Sequence, residues 1–184
     1  MRKPARLGGI ACFALVVGCA GIANAGRLEW TENHDEVSAF AGVANADDIE
    51  SGEPDYLFSM DCEASGEETT VVSDIDQKAL GKAIAAGDVP SFTFVIDGKA
   101  NEDTGGEVAD LRFEEMSGVW QYVADGADAS PLVGAKAIRI EGTGVGLDLP
   151  TDKMAASLKT FKDACDAFEA ANDAGEEDNS DTGQ

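Results

Sequence analysis

The chain has 184 residues, 43% of them hydrophobic, and carries 36 acids against 13 basic residues, for a formal charge of −23. A field of that sign repels nucleic acid and anionic membrane surfaces, so neither is expected as a partner. The length suits one domain around one core, and no internal repeat appears.

The chain opens "MRKPARLGGIACFALVVGCAGIANAG". Arg2, Lys3 and Arg6 make a basic start, an apolar run follows, and Ala23-Asn24-Ala25 is a small-residue cleavage signal before Gly26. That is the three-part layout of a secretory signal peptide over residues 1–25, which implies a periplasmic or secreted protein. The run is too short and too rich in Gly and Ala for a spanning helix. "VVGC", Val16 to Cys19, also resembles a bacterial lipobox, which would anchor the chain by lipid on Cys19; the well-formed site downstream competes with it. Removing residues 1–25 takes away three basic residues and no acid, leaving 10 against 36 and a formal charge of −26. The acids are spread along the chain. They read first as a hydrated surface suited to a saline exterior, and second as an attraction for cations or a basic partner.

Residues 26–55 are acidic and lightly apolar, and are expected to form a partly disordered lead segment from which Trp30, Val37 and Phe40 dock. His34 lies there with nothing nearby to mark a site. "YLFSMDCEA" alternates as a strand that puts Tyr56, Phe58, Met60 and Cys62 on one side. "TTVVSDI" reads as the next strand and "DQKALGKAIAAGD" as a short helix stopped by Gly87. "SFTFVIDGK" is a strand closed by Asp97-Gly98 turn chemistry. "VADLRFEE" and "GVWQYVAD" are two more, with Met116-Ser117-Gly118 as a tight turn between them. "AKAIRIE" and "GVGLDL" follow, joined through Gly142-Thr143-Gly144.

Met154, Leu158, Phe161, Cys165 and Phe168 then step by four and three, the period of a helix with a single buried stripe. Thr151 is the expected N-cap, with Asp152 in the first turn. Residues 172–184 read as an acidic, disordered tail, which leaves one globular domain over 56–171. The expected class is α+β: a mostly antiparallel sheet, or a small sandwich or barrel, of six or seven strands with a C-terminal amphipathic helix.

With Cys12 and Cys19 inside the signal peptide, Cys62 and Cys165 remain. A pair in an exported chain reads as one disulfide, fastening the last helix to the first core strand. Two cysteines and one histidine do not make a standard zinc set, and no C-x-x-C is present for thiol exchange.

The remaining motifs give little chemistry. "EGTGVGLDLP" has Leu147 where a dinucleotide loop needs its third glycine, and as a calcium nonapeptide turn it stands alone, so it reads as a hairpin. Asp97, Asn101 and Asp103, and separately Asp125 and Asp128, admit weak calcium binding but do not match EF-hand spacing. No H-E-x-x-H, G-x-S-x-G or S-x-x-K occurs, and no catalytic residue, cofactor or dedicated metal site is expected. Trp120 and Tyr122 share one side of a strand and read as core, with a sugar-stacking platform as the other reading.

"FSMDC" and "GLDLPTDKMAASLKTFKDAC" resemble, in layout, small exported bacterial proteins of the invasion-associated locus B type. That likeness implies an envelope location and no known chemistry. The tryptophan usual in that family before the first Cys is missing. "SGVWQY" resembles the S-G-x-x-Y loop of periplasmic c-type lysozyme inhibitors, with Ser117, Gly118 and Tyr122 in the corresponding places but one residue too many between them. The sequence therefore points to a non-enzymatic exported binding or structural module, with a blocker of a basic hydrolase such as lysozyme as the alternative.

Overall fold

The computed structural model describes residues 27–65, 67–101, 110–114, 118–126 and 129–177, with side chains as far as residue 172. Its first element is a hairpin of β1 (Leu28–His34) and β2 (Ser38–Asn45). Asp35 shapes the turn: its carboxylate accepts the N–H groups of Val37 at 2.8 Å and Ser38 at 2.9 Å. A one-and-a-half-turn helix α1 (Ala46–Ser51) leads to β3 (Tyr56–Glu63) and β4 (Glu68–Val72). The segment expected to be a loose lead is thus two full strands. Its inward set includes Ala39 and Ala41, too small to stand out from their neighbours in an alternation pattern, yet both are buried.

The chain continues through α2 (Gln77–Ala86), β5 (Phe92–Ile96), β6 (Lys99–Asn101), β7 (Asp110–Glu114) and β8 (Val119–Asp125). A short 3-10 turn, Ser130–Leu132, precedes β9 (Ile138–Gly142), β10 (Val145–Asp148) and α3 (Met154–Glu177). The fold is α+β as expected, with ten strands among the described residues rather than six or seven. Asp76 caps α2 by accepting from Lys78 and Ala79. Helix α3 starts three residues after Thr151, behind Lys153 at φ 61°, and no acid lies in its first turn, so the proposed cap is not used. At the other end α3 runs to Glu177, into the stretch expected to be a tail.

All strand pairs are antiparallel, in two sheets ordered β1-β2-β3-β4-β8-β7 and β10-β9-β5-β6. The larger sheet carries its core in a cross-strand row. Trp30, Val43, Phe58, Val72 and Tyr122 are successive register partners, none more than 3% exposed. The smaller sheet lies on this row: Phe94 meets Phe58 edge-on at 6.0 Å, and Phe92 meets Tyr122 at 5.5 Å. Helix α3 packs across β1, β2 and β3 on the same side, burying Met154, Leu158, Phe161 and Cys165 as its period predicts. The other side of the larger sheet has one pinned spot. The rings of Phe40 and Tyr56 lie over Gly42, where any Cβ would come within 2.7 Å of both.

Candidate functional site

The staple is the first feature to place. Cys62 sits in the cross-strand row containing Ala39 and Glu68, and Cys165 lies on the buried stripe of α3. Their Cα atoms are 6.0 Å apart and the sulfurs are joined in a disulfide across 103 positions. Two polar contacts extend the clasp. The Ser157 hydroxyl, fully buried, donates to Glu32 on β1, and Asn172 donates to the carbonyl of Ala64 at 2.6 Å.

The inhibitor-loop residues are not brought together as a loop. Ser117 lies outside the described residues. Gly118 is exposed at a left-handed φ of 71°. Tyr122 is fully buried, its ring against Phe92 and its hydroxyl donating to the carbonyl of Thr143 at 2.9 Å. Burial raises its phenol pKa. The extra residue in "SGVWQY" carries the tyrosine along β8 into the core, so it has no free ring to insert into an enzyme cleft. Trp120 is the aromatic left outside, 39% exposed and paired edge-on with Phe113 at 5.3 Å.

The calcium candidates have other partners. Asp97 accepts the N–H groups of Lys136 and Ala137 at 2.8 and 2.9 Å, tying the β5–β6 turn to the approach of β9. Asn101 ends β6, and Asp103 and Asp128 lie outside the described residues. Asp125 pairs with Arg112 at 2.6 Å. Among the described residues no three His, Cys, Asp or Glu side chains are placed to hold a metal ion.

A cleft of about 780 Å³ lies between α3 and the adjoining ends of β4 and β8. Glu67 and Glu68 come from the start of β4, Asp125 from the end of β8, and Glu169 and Lys162 from α3. Glu68 is held in place by the N–H of Ala129 at 3.1 Å, and Lys162 is paired with Asp166 one turn on. Four carboxylates thus face one lysine across a polar opening. None of this was legible beforehand, because residues 67, 125 and 169 meet only through strand pairing and helix docking.

The carboxyl groups with displaced pKa values lie elsewhere. Burial, and secondarily the charge of Glu63, raises Asp61, which stands opposite Phe40 on the far side of the larger sheet. The hydrogen bonds from Val37 and Ser38 lower Asp35. These two do not converge on a common cleft. No described helix is long and apolar enough to cross a membrane. No protein-family description, curated protein or solved structure matches the chain.

Proposed function

We propose that this protein is an exported, disulfide-stapled binding module that recognises a basic polypeptide. The observation that carries the reading is the cleft of Glu67, Glu68, Asp125 and Glu169 on a body whose formal charge from Gly26 onward is −26. A cationic partner gains attraction at long range and carboxylate contacts on arrival. The signal-peptide layout of residues 1–25 and the likeness in layout to exported envelope proteins support an exported location. A basic hydrolase belongs to this partner class, but its contact would not run through Tyr122. Titration of the chain beginning at Gly26 with a c-type lysozyme, in about 0.15 M salt, tests the proposal. Binding is expected to weaken with added salt and to weaken further in a Glu67→Gln, Glu169→Gln double variant. Absence of binding to lysozyme and to polylysine alike would remove the reading. Turbidity assays on the same mixtures show whether binding also inhibits.

A further inference from the structure

We infer that the outer edge of β1 is a docking strand, which takes an extended basic segment of the partner as a seventh strand of the larger sheet. The inference rests on the basic-partner reading and adds a surface and a mode to it. Ala46 donates to the carbonyl of Arg27 and Asp35 donates to the carbonyl of Ser38, so the odd-numbered residues of β1 bond to β2. By antiparallel alternation the N–H and C=O groups of Leu28, Trp30, Glu32 and His34 point the other way, and they have no backbone partner among the described residues.

Edges of this kind are normally shortened, bulged, or guarded by lysine or proline. The edge strand β10 of the smaller sheet follows that rule, with four residues. Strand β1 has seven, in unbroken register with β2, and its sequence "LEWTENH" holds neither lysine nor proline. Helix α3 runs beside it and leaves a concavity at each end. One, of about 410 Å³, lies between His34, Asp35 and the α3 residues Asp163, Ala164 and Phe168. The other, of about 110 Å³, lies between Arg27, Leu28, Glu29, Trp30, Asp152 and Lys153. An added strand would lie between the two, bonding to the four free pairs of backbone groups, with alternate side chains turned toward α3.

Charge selects the occupant. The concavity at His34 has carboxylates from Asp35 and Asp163, the latter paired with Lys159, and β1 carries Glu29, paired with Arg27, and Glu32, which accepts from Ser157. With Asp152 and Lys153 that is five acids against three bases along this edge, so the local charge stays negative. A segment alternating basic and small apolar residues fits both the acids and the Ala164–Phe168 wall. A second copy of this chain would bring two strongly acidic bodies together.

The test uses the chain from Gly26 and a fluorescein-labelled nonapeptide of alternating lysine and valine. Amide exchange followed by NMR is expected to slow about tenfold or more at Leu28, Trp30, Glu32 and His34 at saturation, with the amides of β6 and β10 unchanged. Methylating alternate peptide nitrogens removes that protection while keeping the charge. His34→Pro deletes one outward donor without touching the β1–β2 ladder or the Ser157–Glu32 contact and is expected to weaken binding about tenfold or more. Should that variant fail to fold, Ala164→Trp fills the groove from the helix side with the same expected loss. Peptide binding without protection of the four amides, or equal binding of the methylated peptide, overturns the docking strand and leaves the basic-partner reading standing. Protection that grows with protein concentration in the absence of peptide also overturns it, in favour of self-pairing. Failure to bind any basic polypeptide overturns both.

Discussion

Two tryptophans occupy the same face of the larger sheet at opposite ends, and their surroundings differ completely. Trp30 on β1 is 3% exposed, edge-on to Phe58, with its indole N–H donating to the carbonyl of Pro150 at 2.7 Å. Trp120 on β8 is 39% exposed and touches Phe113, itself half exposed. Strand chemistry is alike at both ends; the cover is not. Helix α3, fastened by the disulfide, lies over β1 to β3, while the smaller sheet reaches only as far as Tyr122. Burial in this protein is therefore decided by the layer above each strand more than by the strand's own sequence.

The largest expected effect comes from loosening the covered end. Replacing Cys62 and Cys165 together by alanine should lower stability by about 4–5 kcal/mol in chain-entropy terms, read by urea denaturation with and without reductant on the parent protein. Trp30→Ala removes a buried ring and its hydrogen bond and should destabilise by about 3–5 kcal/mol. The matching change at the open end, Trp120→Ala, should cost less than about 1 kcal/mol. If the two tryptophan variants prove equally damaging, the contrast between the ends is wrong. Acrylamide quenching of single-tryptophan variants sharpens it: Trp120 emission should quench freely and Trp30 emission should not.

The smallest effect concerns Asp61. Its pKa in the folded protein is raised above the ordinary 3.8, so the protonated form is favoured by folding, and the stability this adds in acid is lost as pH rises through the folded value. Asp61→Asn should therefore raise the melting temperature slightly at pH 7, and the gain should shrink as pH falls toward 3.8 and Asp61 in the parent protein takes up its proton. A gain that is constant with pH would show that the carboxylate charge is not the cause.

Much of this fold can be read from the chain alone where side chains are large. Phe92 and Phe94, Ile138 and Ile140, and the Met154-to-Phe168 stripe declare their elements because bulky residues repeat at the right period. The hairpin at Gly144 is equally plain, with φ 78° in a turn that favours glycine. Strand β2 hides because its inward residues include Ala39 and Ala41, and β1 hides because only Leu28 and Trp30 of its inward set are apolar, Glu32 and His34 completing it. The small size of Ala39 and Ala41 suits the close approach of α3 to β1 and β2. The cleft and the free edge could not be read at all, since both arise from residues more than 40 positions apart that only tertiary packing unites. Tyr122 shows the converse: a local motif suggested a loop, and register placed the side chain in the core.

The ring closed by Cys62 and Cys165 encloses the whole of the smaller sheet and the three connections, β4 to β5, β6 to β7 and β8 to β9, that join it to the larger one. A protease that nicks any loop between those two positions therefore severs the backbone without releasing either fragment. The cleaved protein would still travel as one species on a non-reducing gel, and would come apart only when the sulfur bond is reduced.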